Sequence, residues 1–375
     1  MKLFKKLLAL TLVLCMVFCL SVAVLAADGD GTGDGSSSST TPSVPTTDSS
    51  SFTITKVYKL TNEGTTSPAE TFYITQEGEG KVTDGDATSA PDLPKVKVGE
   101  VEESYVGSVT FAEGAAKANA TAESTDGSVG MITIGLPTYD KVGVYEYTLK
   151  ETAGTTAGVT YREKTIKLVV SVINGTNGDI RIASVHAEEE GGSKTGVIEN
   201  TYSAGSLSIK KEVTGNLGED KRYFKFTLTL TGEEGKTYNT NGYAISGTTS
   251  YKDANDDGNP TSVTIGTPVE IFLRKDETIT VSNLPYGVSY KIEEDADSAK
   301  GYTTKINGTA SENRVIGADG KSKISDASTE VTFENNKVGE IDMGVSLDSL
   351  PYILALAVAF GGAVVMITRK RHVED

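Results

Sequence analysis

The chain has 375 residues, with 35 Lys and Arg against 51 Asp and Glu and a formal net charge of −16. That length accommodates two or three domains, and an acidic balance without a basic patch argues against a nucleic-acid partner. Two cysteines and two histidines, His186 and His372, are too few for a disulfide scaffold, a zinc set or a catalytic triad.

In chain order, Lys2, Lys5 and Lys6 precede an apolar run from Leu7 to Leu20, and small residues follow at Ala23, Ala26 and Ala27. This pattern predicts a secretory signal peptide over residues 1–27, cleaved near Ala26. Cys15 and Cys19 both fall inside it, so the exported chain enters an oxidising compartment without any cysteine. Residues 28–51 are Gly, Ser, Thr, Pro and Asp with almost nothing apolar, and predict a flexible leader.

From Phe52 the chain alternates with period two. Strands are predicted at 71–75, 108–111, 131–134, 144–149, 165–173 and 179–185, then at 207–213, 223–230, 269–273, 278–281, 288–292 and 329–333. Many short strands between turn residues, without a convincing amphipathic helix, predict an all-β sandwich architecture. The stretch 112–122 reads equally as a short helix or an exposed loop. A break at 201–206 divides similar halves, giving predicted domains at 52–202 and 203–338. Within the last segment, 339–375, residues 350–368 are almost continuously apolar and long enough to span a bilayer. Arg369, Lys370 and Arg371 follow on what would be the cytoplasmic side.

One costly pattern occurs twice. Strand parity puts Lys56 on a face with Phe52, Ile54 and Tyr58, Glu151 with Tyr145, Tyr147 and Leu149, and Asn200 with Ile198. The second half repeats it: Lys211 with Leu207, Ile209 and Val213, Glu294 with Val288, Tyr290 and Ile292, and Asn335 with Val331 and Phe333. All six polar groups should point into a core, where an isolated charge is expensive unless it neutralises or finds a partner. A neutral Lys amine can attack an Asn amide, and a Glu beside the amide can shuttle the protons as ammonia leaves. The product, an isopeptide amide, is uncharged, and a rigid core supplies the proximity the reaction needs. This is a single-turnover self-reaction rather than an enzyme acting on a substrate, and no cofactor is implied. The competing reading is a pair of Lys and Glu residues snorkelling at strand ends as a surface ion pair. Lys59 and Lys210 fall on the opposite strand faces and are excluded from the sets.

The exported chain resembles the two-domain T-antigen-type (FctA-like) major pilins of Gram-positive bacteria. The residues that carry the resemblance are FTITK (52–56), GVYEYTLKE (143–151), VIEN (197–200), LSIKK (207–211), the stretch 272–294 and VTFEN (331–335). The stretch 272–294 also resembles collagen-adhesin B-type (CnaB-type) domains. The resemblance implies two tandem Ig-like β-sandwich domains, isopeptide bonds Lys56–Asn200 and Lys211–Asn335, and assistance by Glu151 and Glu294. It further implies a shaft subunit of a sortase-assembled pilus, exported, membrane-bound before sorting and then anchored to the cell wall. Implied partners are a pilin-specific sortase, other copies of the chain, minor pilins, peptidoglycan and host surface ligands. A free-standing wall-anchored or pilus-tip adhesin is the alternative.

In such pilins the accepting Lys precedes the last strand of the first domain, and Lys194 is the matching residue; an ordinary surface Lys in a Gly turn is the competing reading. A head-to-tail link of this kind does not close and so gives a filament. The expected sorting motif falls at Glu340, Ile341, Asp342, Met343 and Gly344. Gly344 fits the family pattern, whereas Asp342 replaces Pro and Met343 replaces Thr. The implied acyl donor is Met343, with cleavage before Gly344; the other outcome is a subunit that stays membrane-bound.

Residues 253–258 match the start of a calcium loop, but Thr264 stands where the bidentate Glu belongs, so an acidic turn is expected and no metal.

Overall fold

The computed structural model describes residues 48–98, 101–102, 104–255, 258–339 and 350–371. The signal peptide, the leader up to residue 47 and the sorting motif Glu340–Gly344 lie outside the described residues.

Period-two alternation converts directly into sheets. In strand Gly143–Glu151, residues 143, 145, 147, 149 and 151 are buried and those between them are not. Residues 51–202 form a four-stranded sheet in the order Val129–Gly135, Ser51–Leu60, Val197–Tyr202, Val159–Thr160. They also form a seven-stranded sheet in the order Lys194–Thr195, Ile180–Glu189, Ile166–Asn174, Gly143–Glu151, Glu70–Gln76, Tyr105–Phe111, with Lys81–Gly85 added against Gly143–Glu151.

Residues 204–336 repeat the scheme with different strand order. A seven-stranded sheet runs Ser262–Val263, Tyr243–Thr248, Thr278–Pro285, Ala204–Thr214, Ser328–Asn336, Thr303–Ile306, Thr309–Ala310. A four-stranded sheet runs Val269–Leu273, Phe224–Thr231, Ser289–Glu294, Val315–Ile316. In each half the first and last strands lie side by side and parallel. Parallel neighbours need a crossover, and here the rest of the half supplies it.

The cores are aliphatic and aromatic. Ile54, Ile74, Ile132, Tyr147, Leu168 and Val170 pack in the first half, beside a cluster of Tyr58, Phe72 and Phe111. Leu207, Ile209, Phe224, Phe226, Ile292 and Phe333 pack in the second.

The stretch 112–122 contains turns and a bridge between Lys59 and Lys117, and no helix. Its Ala115 and Ala116 pack against the cluster around Tyr58, and Gly114 turns the chain with φ 74°. The break expected at 201–206 shrinks to one residue. Strand Val197–Tyr202 ends and strand Ala204–Thr214 begins with only Ser203 between them.

Side chains from both halves secure that junction. Asn62 donates to Ala204 O at 2.8 Å and to Tyr286 Oη at 2.6 Å. Asn283, at φ 60°, accepts from Thr66 N and donates to Thr66 O, both at 2.9 Å. Asn tolerates this left-handed backbone because its side chain can hydrogen-bond locally. Gly158, at φ 78°, accepts from Ser203 N at 2.8 Å; a Cβ there would meet Ser203 O at 2.7 Å.

The predicted C-terminal span is helical over Leu350–Arg371. Among the described residues, however, no helix is long and apolar enough to cross a membrane.

Candidate functional site

The six residues singled out by parity meet in two buried triads. Lys56 and Lys211 are 0% exposed, Asn200 2%, Asn335 0%, Glu151 3% and Glu294 2%. A snorkelling surface pair does not fit that burial. Lys59 and Lys210 do behave that way, meeting Glu199 at 2.8 Å and Glu212 at 2.7 Å on the outer faces.

Each triad draws two residues from one sheet and one from the facing sheet. Lys56 lies on the first strand and Asn200 on its parallel neighbour, where Asn200 is registered with Tyr58. Lys211 and Asn335 repeat this, with Asn335 registered with Val213. Glu151 ends strand Gly143–Glu151 and Glu294 ends strand Ser289–Glu294, both in the opposing sheets.

In the first triad Lys56 Nζ donates to Glu151 Oε2 and, at 2.6 Å, to Asn200 Oδ1. Asn200 Nδ2 donates to Glu151 Oε1, which also accepts from Arg162 N at 3.2 Å. In the second, Glu294 Oε1 accepts from Lys211 Nζ and from Asn335 Nδ2, both at 2.7 Å. Each carboxylate therefore joins the amine nitrogen to the amide nitrogen.

An aromatic face closes each site. Lys56 Nζ sits 4.4 Å from the Phe72 ring centre and Lys211 Nζ 4.3 Å from that of Phe224. These rings exclude water while offering the ammonium form a weak partner. Burial nevertheless dominates: it lowers both Lys56 and Lys211 to a pKa of about 8, against the opposing pull of Glu151 and Glu294. About a tenth of each amine is then neutral at pH 7, far more than for a free Lys, and the neutral amine is the state a nucleophile requires.

Lys194 lies apart from the triads, exposed in the two-residue edge strand Lys194–Thr195, where it is registered with Glu188. Glu340, Ile341, Asp342, Met343 and Gly344 lie outside the described residues. Of the calcium-loop residues, Asp256 and Asp257 are also outside them. Among the described residues no group of His, Cys, Asp and Glu is disposed to hold a metal.

Sequence reasoning missed Thr304. Its hydroxyl donates to Asn335 Oδ1 at 2.8 Å and lies 3.2 Å from Glu294 Oε2. It missed Phe72 and Phe224 as the rings over the amines. A Thr or a Phe on the inward face of a strand is ordinary, so nothing in the pattern distinguished them.

Residues 52–203 match the family described as Spy0128-like isopeptide containing domain, and residues 205–337 match a domain family of unknown function, DUF7601. The chain is 29% identical over 242 residues to a pilin of Streptococcus pyogenes serotype M1, covering 62% of this chain and 69% of that protein. It is 33% identical over 132 residues to the pilus tip adhesin Cpa of Streptococcus pyogenes, covering 35% of this chain and 16% of the adhesin. Its fold overlaps the crystal structure of the major pilin from Streptococcus pyogenes with a TM-score of 0.49 at 23% identity, over 78% of this chain and 100% of the other.

Proposed function

From the premise that residues 52–203 are a Spy0128-like isopeptide containing domain, we propose that the chain is the major, shaft-forming subunit of a sortase-assembled covalent pilus on a Gram-positive surface. The two sandwiches act as separate domains, 52–202 and 203–338, each closed by its own amide, Lys56–Asn200 and Lys211–Asn335. Glu151 and Glu294 take the proton shed by the attacking amine and hand it to the departing amide nitrogen. Lys194 accepts the acyl group of Met343 from the next copy, delivered by a pilin-specific sortase reading Glu340–Gly344. The partners are then copies of the same chain, minor pilins, the sortase and, at the base, peptidoglycan.

The observation that supports this reading is the duplicated triad. A carboxylate bonded to both nitrogens, in a dry core, beside an amine whose pKa burial lowers to about 8, is poorly explained as packing. It is well explained as a reactant complex. The adhesin reading draws support from the likeness to the tip adhesin, but that likeness spans 16% of the adhesin against 69% of the pilin.

The test is the intact mass of the folded, exported chain. Two ammonia molecules missing from the sequence mass is the expected result. A full-mass chain would end the proposal for the triads.

A further inference from the structure

The two triads share Lys, Glu and Asn but differ at the amide oxygen. Asn200 Oδ1 accepts from Lys56 Nζ at 2.6 Å. Asn335 Oδ1 instead accepts from the hydroxyl of Thr304 at 2.8 Å. The strand pairing explains the difference. Strand Thr303–Ile306 runs antiparallel to Ser328–Asn336 and puts Thr304 directly opposite Asn335. On the corresponding side of the first triad, strand Val159–Thr160 stops at Thr160, registered with Thr201, one position short of Asn200.

Thr304 is a buried polar residue, 6% exposed, so its hydroxyl needs a partner within the protein. A hydroxyl carries a single proton. Of its two neighbours Asn335 Oδ1 is nearer at 2.8 Å, while Glu294 Oε2 lies at 3.2 Å. Glu294 Oε1, for its part, holds Lys211 Nζ and Asn335 Nδ2. The carboxylate is thus placed on the two nitrogens and the hydroxyl on the oxygen.

We propose that Thr304 is a catalytic residue of the second triad, stabilising the negative charge that develops on Asn335 Oδ1 as the amide forms. This rests on the reading that the triads react. Lys211 Nζ, as the neutral amine, bonds to Asn335 Cγ, and the carbonyl π pair moves onto Oδ1. The nitrogen sheds one proton to Glu294, which delivers it to Nδ2. The Cγ–Nδ2 bond then breaks, its electron pair leaves with ammonia, and the carbonyl re-forms. Thr304 keeps its proton throughout. Its hydrogen bond strengthens while Oδ1 is charged and relaxes afterwards, which is the behaviour of an oxyanion donor. The first triad reacts without this hydroxyl, so the same molecule contains its own control.

The test uses the full chain made by cell-free translation. Synthesis is stopped, samples are digested at intervals, and the Lys56–Asn200 and Lys211–Asn335 cross-linked peptides are quantified by mass spectrometry. Thr304→Val and Thr304→Ala should slow the Lys211–Asn335 link by ~100-fold, the scale of a lost oxyanion donor, and leave Lys56–Asn200 unchanged. Thr304→Ser, which keeps the hydroxyl, should return the rate to within a few fold of the natural chain. Hydrogen exchange in strands Phe224–Thr231 and Ser328–Asn336 reports folding of the second sandwich in the same samples. A natural rate in Thr304→Val overturns the inference and leaves the triad reading standing. So does a Thr304→Ser rate as slow as Thr304→Val, or slowing that only follows lost exchange protection. Absence of both cross-linked peptides from the natural chain overturns the triad reading and this inference with it.

Discussion

Lys56 lies two residues before the position opposite Asn200, on a strand parallel to it, and its Nζ reaches Asn200 Oδ1 at 2.6 Å. Two residues along a strand are about 7 Å, a gap an extended Lys stem can bridge while staying on one face of the sheet. Lys211 and Asn335 keep the same offset. The geometry uses parallel neighbours, and among the described strands of each half the first and last are the parallel pair.

Replacing either Glu should remove one amide and only one. Glu151→Ala or Glu294→Ala is expected to leave the intact mass one ammonia, rather than two, below the mass that the variant's own sequence gives. Thermal unfolding of that half should drop as well, by an amount on the order of 5 kcal/mol for losing a cross-link over so long a loop, borrowing the disulfide estimate. The unreacted Lys left buried without a counter-charge adds to the loss. Two ammonia molecules still missing from either variant would remove that Glu from the mechanism.

Bond formation should depend on pH with a definite sign. Burial lowers Lys56 and Lys211 to about 8, so the neutral amine predominates above that pH and becomes scarce below it. The rate of both cross-links should fall about tenfold per unit as pH drops below 8, and level off above it. Cross-linked peptide measured over time after synthesis at pH 6, 7, 8 and 9 checks this. A flat profile would mean that proton loss from the amine is not required.

Lys194 is exposed on an edge strand, where an incoming acyl group can reach it. Co-expression with a pilin-specific sortase should yield a high-mass ladder that survives boiling in detergent. Lys194→Ala should collapse the ladder to monomer, and Lys194→Arg, which keeps the charge but not the nucleophile, should do the same. A ladder persisting in both variants would assign the linkage to another Lys.

The junction makes a separate prediction. Asn62→Ala together with Asn283→Ala deletes the bonds to Ala204 O, Tyr286 Oη and Thr66. Each lost bond weakens the joint by about 1 kcal/mol, so protease cleavage near Ser203 should quicken about tenfold or more. Unchanged cleavage would show that strand pairing alone holds the joint.

The triads were legible in the sequence because strand parity is strict where a face is buried. Glu151, at the end of an unbroken alternation from Gly143, could only point inward. The long, apolar strands were legible for the same reason. Lys81–Gly85 and Tyr243–Thr248 were not: they are mostly exposed segments held by pairing rather than by a hydrophobic face. The stretch 112–122 carried six alanines and no period, and its Ala115 and Ala116 fill space against Tyr58 instead of building a helix. Thr304 was invisible because its importance lies in register with Asn335, which pairing decides and local composition does not.

The one-residue spacing at Ser203 has a topological consequence. Once Lys56 joins Asn200 and Lys211 joins Asn335, each half becomes a closed ring, and a protease nick inside either ring releases nothing. Between the two linkages the main chain is single only from residue 201 to 210. All of that stretch except Ser203 is strand, hydrogen-bonded on both sides of the joint. With both amides formed, the chain from Lys56 to Asn335 would stay in one piece after a single backbone cut in any loop inside either ring, because the unduplicated stretch between the rings is strand that a protease cannot easily unfold.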